Sequence, residues 1–420
     1  MALFAAAVFD LIFALARGGG LRGALHGLWN TPHLLCGQQL AEWRLQLGRI
    51  LFAAGLAAYE ISVVFCNSMA RQNWAWVQGV MSPVLEWLAF LCFGAKILFG
   101  TRYTWRELLA GGALYFIARW VYFNSQNIWW IGIVVAVLAA KDVPLRRPLQ
   151  VYFASGCAAM AVVLALHFAG IVAPDLTSER MGALRGTYGY GPPNTFGGLV
   201  FGLVLAYALL RAQKVRWVDC LLVFAVGVFL LVGPASRSAA LCTLALAVGL
   251  VFCRLRAGHS VRRWWPGTCA GMVGLTAAVS YLLPLLVIKV GPWNNDIGPA
   301  WLAKLDSLLT CRISLTWMAY RLLDVKIAGQ VFNWPTVDNS FAFALFQFGP
   351  VVAALLGILF AAALWGHAKQ GRRVEVCCLF AMLAYAYMEV QPFHLTTNPT
   401  ALLLCGAVFA QTSARWQRIE

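Results

Sequence analysis

Residues 218–253 read VDCLLVFAVGVFLLVGPASRSAALCTLALAVGLVFC. Two apolar runs, each close to the ~20 residues that cross a hydrocarbon core, flank the turn Gly233-Pro234-Ala235-Ser236-Arg237-Ser238. A helix lying on a soluble core is polar on one face. These runs are apolar all round, so the pair reads as two antiparallel spanning helices joined by a tight turn.

The same signature recurs along the chain. Apolar runs predict spans near 49–66, 81–100, 105–121, 125–140, 149–173, 192–210, 218–234, 236–253, 267–289, 341–366, 374–390 and 398–412. Composition agrees: 61% of residues are hydrophobic and 11% charged, against ~25% charged in an ordinary soluble domain. A soluble enzyme is excluded. The expected fold is an all-α polytopic membrane protein, a single integral-membrane domain over 1–420 with about 12 transmembrane helices. Segment 1–48 is read as a cytoplasmic or interfacial N-terminal segment. Its first stretch, 1–16, is apolar but short, holds Asp10, and has neither a charged lead nor a clear small-residue cleavage site, so it is read as interfacial and not as a cleaved signal.

A net charge of +16 would point to nucleic acid in a soluble chain. In a membrane chain the bases sort by side. Alternate loops from Arg17 to Arg418 hold 21 of the 32 Lys and Arg residues, the other loops hold nine, and Lys96 and Arg119 fall inside spans. The positive-inside rule then places both termini in the cytoplasm and makes the number of spans even. Nucleic acid is not an expected partner.

All but two of the 12 cysteines, Cys36 and Cys311, fall in or at the ends of spans and read as small buried hydrophobes. The six histidines are scattered, and none of the eight aspartates is two residues from another. No metal and no cofactor is therefore expected. Gly198/Gly202 and Gly267/Gly271 form G-x-x-x-G pairs, read as helix packing.

Ionisable groups inside a bilayer are costly and point to function or to buried pairing. Glu60, Glu86, Arg119 and Glu389 all fall in the outer half of their spans, and Arg119 with a glutamate is one pairing such a cluster allows. Two extracytoplasmic loops, 174–191 and 291–340, carry the remaining signals. The first reads PDLTSERMGALRGTYGYG and runs into PPNTFG. Its glycines, Gly191 among them, let backbone approach a ligand, while Arg180 and Arg185 offer planar forks suited to phosphate. Asn194 is the expected N-cap of an outward-facing helix N-terminus. A tight turn with two snorkelling arginines accounts for the same residues. Ser236 is the expected cap of the next outward N-terminus, with Arg237 facing the bundle or anchoring at the interface. In the second loop, 300–325 has helical spacing through Trp301, Leu305, Leu308, Leu309, Ile313, Trp317 and Tyr320, with Arg312, Arg321 and Lys326 on it. Asp338, before Asn339 and Ser340, reads either as an N-cap or as a carboxylate facing the site.

Taken in order, these segments resemble the O-antigen polymerase and O-antigen ligase family of bacterial surface polysaccharide assembly. The matching pieces are Arg180 to Gly191 as R-x10-G with GYGPPNTFG, the SRSA turn at 236–239, Arg312 and Trp317 as R-x4-W, Gly329-Gln330, and DNSFAFALFQFGP at 338–350. The resemblance covers roughly 170 residues. It implies a glycosyltransferase C-type fold with a long, partly helical outer loop, and arginines that hold a polyprenyl (undecaprenyl) diphosphate. Carried over, Arg237 and Arg312 are catalytic with Asp338 as base, and Arg180, Arg185, Gly191, Asn194, Asn339 and Trp317 bind substrate. Ligases of this family typically present a histidine where this chain has Asp338, a departure that favours a polymerase similar to those of capsule and exopolysaccharide.

The chemistry is consistent with the resemblance. A sugar on a polyprenyl diphosphate already carries a good leaving group, so the protein must neutralise developing charge and deprotonate an acceptor hydroxyl. The expected function is metal-independent polymerisation of lipid-linked repeat units. Its expected partners are a polyprenyl-diphosphate-linked glycan donor and acceptor, membrane lipid, and polysaccharide chain-length or export proteins. The alternatives are transfer of a finished glycan to an acceptor, or a lipid-linked oligosaccharide flippase or other transporter.

Overall fold

The computed structural model describes residues 42–101, 103–172, 178–180, 183–256, 263–287 and 299–409. The interfacial stretch 1–16, most of segment 1–48, Cys36 and the end of the last expected span lie outside the described residues, as do parts of both long loops.

The chain is helical. The main helices are α1 Glu42–Cys66, α2 Ser82–Phe99, α3 Trp105–Ser125, α4 Ile128–Ala139, α5 Arg146–Phe168, α6 Pro193–Leu210, α7 Trp217–Val232, α8 Arg237–Leu255, α9 Trp265–Leu282, α10 Ala300–Leu308, α11 Arg312–Leu322, α12 Pro350–Lys369 and α13 Arg373–Met388. Among the described residues one antiparallel strand pair, β1 Ser178–Arg180 with β2 Ala183–Arg185, stands in the first long loop.

Among the described residues, seven helical stretches are long and apolar enough to cross a membrane: Trp43–Cys66, Val77–Phe99, Arg146–Phe168, Pro193–Leu210, Arg237–Leu255, Trp265–Leu286 and Pro350–Lys369. The other expected runs also fall on helical segments. Of these, α4, α7 and Pro399–Val408 are apolar but short, α13 is short, and α3 carries Arg106, Glu107 and Arg119. Side chains such as Trp87, Leu91, Phe116, Phe168 and Val232 stand exposed around the bundle. Water would not tolerate so much outward apolar surface; a bilayer does.

Helix α1 packs on α2 and α5, α7 on α8, α8 on α13, and α9 on α12. Of the seven long stretches α6 is the most enclosed, between α5, α8 and α13. At one end of the bundle, Lys96 Nζ donates to Thr101 Oγ1 at 2.6 Å and to the Lys141 carbonyl, and Lys141 Nζ pairs with Glu107 Oε2 at 3.0 Å. The α5 start, the α6–α7 turn and the α12–α13 turn share this end. The opposite end gathers the α6 and α8 N-termini, the α13 C-terminus, α11 and Ser340.

Three expected elements differ in form. The 341–366 span is broken: a short helix Ser340–Phe343 and a π turn Ala344–Phe348 precede Gly349, whose φ of +85° interrupts the helix before Pro350. Only glycine fits there, because a Cβ would overlap the Ile327 carbonyl. The 300–325 helix is two, α10 and α11, separated by Thr310 and Cys311 at φ 59° and 63°. Asp306 bridges that break: its Oδ1 accepts from the Ile313 N–H at 2.7 Å and the Ser314 N–H at 3.2 Å, at the α11 N-terminus. The last expected span is a 3-10 segment, Pro399–Leu404, and one turn, Cys405–Val408.

Candidate functional site

Helix α13 stops at Met388, and Glu389 takes an extended conformation at φ −142°, ψ 149° ahead of Gln391-Pro392. Proline restricts the residue before it and cannot donate to a helix ladder. From Glu389 to Asn398 the chain leaves the α-helix, with one 3-10 turn at Gln391–Phe393, yet is largely buried, with Thr396, Thr397 and Asn398 enclosed. Irregular backbone inside an apolar bundle is stable only if its polar groups are met within the protein. Tyr152 donates to the Thr396 carbonyl, Thr397 Oγ1 to the Gln391 carbonyl, and Asn398 Nδ2 to the Pro392 carbonyl at 3.0 Å. Gly198 and Gly202 give this segment its seat. A Cβ at Gly198 would overlap Gln391 Oε1, and one at Gly202 would lie 2.7 Å from the Thr396 carbonyl oxygen. The second glycine pair has no such role at Gly271, where a Cβ would meet nothing within 4 Å.

Glu389 is the centre of the polar network. Its Oε1 accepts from Arg312 at 2.5 Å, Ser238 Oγ at 2.8 Å and Asn194 Nδ2 at 3.1 Å. Oε2 accepts no hydrogen bond from a described residue. Ser340 Oγ donates to the Glu389 carbonyl at 2.5 Å. Four distant pieces of chain thus meet here: the first turn of α6, the first turn of α8, the start of α11, and the Asn339-Ser340 turn.

Arg312 was expected as a fork open to a diphosphate. Instead it is buried, and its five N–H groups are engaged within the protein. Nε donates to the Met388 carbonyl; one terminal nitrogen donates to the Leu309 carbonyl at 2.8 Å and Thr310 Oγ1 at 2.5 Å; the other reaches Glu389 at 2.5 Å and Ser238 Oγ at 3.4 Å. Such a side chain holds Glu389 and ties α11 to the bundle. Arg237, expected either to face the bundle or to anchor at the interface, is exposed on the first turn of α8, next to Ser238.

The expected caps differ from those observed. Asn339 caps the Ser340 helix, its Oδ1 accepting from the Phe341 N–H at 2.9 Å and the Ala342 N–H at 3.1 Å. Asp338 therefore stands one residue outside the cap, half-buried and within electrostatic range of Glu389. Pro192, not Asn194, occupies the α6 cap position, which frees the Asn194 amide to reach Glu389. Ser236 sits at the α8 cap position without a side-chain capping bond.

Trp317 lies away from this network, packed with the Val287, Leu302 and Ile313 cluster under Arg321. The backbones of Arg180 and Arg185 form the ends of the β hairpin. Gly329 and Gln330 pack against the π turn, and Gln330 N donates to the Gln347 carbonyl at 3.2 Å, so two separate motif pieces form one unit. Arg119 makes no ion pair with a described glutamate; its guanidinium lies 4.1 Å from the Phe123 ring centroid. Glu60 is buried against Gly156 and Glu86 is half-buried, both apart from Glu389.

Two spaces adjoin the network. A polar cleft of about 430 Å³, lined by Asn67, Arg71, Gln72, Gln78, Gly191 and Thr195, opens beside the α6 N-terminus. Its walls are joined by the Met69 N–H bond to the Gly189 carbonyl at 2.8 Å, and Arg71 Nε donates to Gln78 Oε1 at 2.8 Å. Thr195 faces this cleft while its neighbour Asn194 holds Glu389. An apolar crevice beside Ser340 and Tyr281 is lined by large side chains such as Phe341, Phe360 and Phe393 and by small residues such as Ala344, Gly357 and Ala386.

Among the described residues no group of three His, Cys, Asp or Glu side chains could hold a metal ion. Compared with protein-family models, curated proteins and solved structures, the chain matches none.

Proposed function

We propose that this chain is an integral-membrane glycosyltransferase of glycosyltransferase C-type architecture, with twelve membrane segments and both termini cytoplasmic. It joins polyprenyl-diphosphate-linked oligosaccharide repeats into a polysaccharide on the outer face of a bacterial plasma membrane. The observation that carries this reading is the convergence of Asn194, Ser238, Arg312 and Ser340 on Glu389, because these residues come from motif segments that are far apart in the chain. They meet at the end of the bundle with fewer cationic loops, which the positive-inside rule makes external.

In this reading Arg237 neutralises the diphosphate as charge develops on it, assisted by the outward N-termini of α6 and α8 and by Arg180 and Arg185. Asp338 accepts the proton of the acceptor hydroxyl; its capping alternative is removed by Asn339. The Arg312–Glu389 pair fixes the ends of α8, α11 and α13 around these groups, so Arg312 is a positioning residue. The crevice below Ser340 takes the lipid chain, and the cleft at Asn67, Arg71 and Gln78 takes sugar, whose hydroxyls match planar amide and guanidinium groups.

The test is the lipid-linked material that accumulates when the chain is deleted from its host. Single repeats support polymerisation. Finished polymer left on lipid indicates a ligase, and repeats confined to the inner leaflet indicate a flippase.

A further inference from the structure

At the Lys141 end of the bundle, far from Glu389, lies a cavity of about 170 Å³ lined by Arg146, Arg211, Lys214, His367, Arg372 and Glu375. A second cavity of about 380 Å³ adjoins it and shares His367 and Arg372. Three features of the first cavity point to one ligand chemistry.

The first is charge. Arg211 is partly committed, its Nε lying 3.2 Å from both Asp219 oxygens. The side chains of Arg146, Lys214 and Arg372 make no ion pair with any described residue, and Glu375 is the one acidic side chain in the lining. The second is the backbone. Leu145 and Arg372 are the N-cap residues of α5 and α13, and neither side chain makes a capping hydrogen bond. The first turns of α5 and α13, each the positive end of a helix dipole, therefore border the same space, with Glu375 the one acidic group in the α13 turn. The third is His367, whose side chain is buried and whose Nδ1 has no hydrogen-bond partner. An unpaired polar atom at this depth is costly unless a ligand meets it.

We propose that this cavity binds a phosphate-bearing anion, held by Arg146, Lys214 and Arg372, the two helix N-termini and His367. The lining is half apolar, through Leu145, Leu149, Leu209 and Leu403. That composition suits the headgroup of an anionic lipid, whose acyl chains lie along the bundle, as well as a free phosphate; basic pockets between spanning helices are a recurrent headgroup site. Occupancy would fasten the turn between α12 and α13 to the α6–α7 turn, at the far ends of the two helices whose other ends carry Glu389 and Asn194.

The experiment uses full-length protein, delipidated in detergent and titrated separately with phosphatidylglycerol, phosphatidylcholine and inorganic phosphate, reading the thermal unfolding midpoint. The expected result is a saturable upward shift with phosphatidylglycerol or inorganic phosphate and none with phosphatidylcholine, the active arm identifying the source. In Lys214→Gln and Arg372→Gln the apparent affinity should fall about tenfold each, the equivalent of ~1.4 kcal/mol. Lys214 is exposed on a turn, so its variant is expected to fold even if Arg372→Gln does not. No shift with either anion, or a shift of equal affinity in wild type and Lys214→Gln, overturns the proposal.

Discussion

Arg312 and Glu389 form a buried ion pair, with the guanidinium 2.5 Å from Glu389 Oε1 and both side chains almost fully enclosed. Removing one partner of such a pair strands the other charge, a loss of about 3–5 kcal/mol. Arg312→Gln and Glu389→Gln should each lower the unfolding midpoint strongly, and the double variant should be less unstable than the two single losses added together. Arg312→Lys should resemble Arg312→Gln, since an ammonium has three donors where five are used. Additive losses would show that the pair is not coupled.

The Asp338-Asn339 dipeptide separates chemistry from capping. Asn339→Ala should cost about 0.5–2 kcal/mol of stability through the lost cap. Asp338→Asn should leave the unfolding midpoint near wild type and abolish polymer formation, because the carboxylate and not the cap is lost. Polymer at the wild-type level from Asp338→Asn would remove it as the base and direct the search to Glu389, whose Oε2 accepts no hydrogen bond from a described residue.

Every helix that builds the bundle coincides with an apolar run visible in the chain, because twenty or so apolar residues have few alternatives in a bilayer. The breaks are less legible. Gly349 could have been flagged by the Gly-Pro pair at 349–350, but nothing local marks Thr310 and Cys311 as left-handed. Asp338 and Asn339 are adjacent residues that cap equally well, so their order is settled only by packing. The network itself depends on contacts such as Asn194 to Glu389 across 195 positions. Sequence depth points to Glu60, Glu86 and Glu389 alike, and the Arg312 pairing that singles out Glu389 appears only in three dimensions.

The glycines of α6 offer a test of packing. Gly202→Ala places a methyl 2.7 Å from the Thr396 carbonyl oxygen, and overpacking of this kind costs about 1–3 kcal/mol. Gly271→Ala meets open space and should be neutral or slightly stabilising. Equal unfolding midpoints for the two variants would contradict the seat described for the 391–397 segment.

Orientation is tested by single cysteines in a cysteine-free background. Gln72→Cys, exposed at the Glu389 end, should react with an impermeant thiol reagent in intact cells or spheroplasts, and Gln370→Cys, exposed at the Lys141 end, should not. Labelling at position 370 from outside would invert the topology and the proposed site with it.

The account stands most directly on elongation by the purified protein. In nanodiscs with a polyprenyl-diphosphate-linked repeat, the wild-type chain is predicted to build polymer at equal rates in excess EDTA and in magnesium. Arg237→Lys should be slower by ~30- to ~1000-fold, corresponding to about 2–4 kcal/mol of lost transition-state stabilisation. Repeats left unjoined by the wild-type protein, or elongation abolished by EDTA and restored by magnesium, would contradict it.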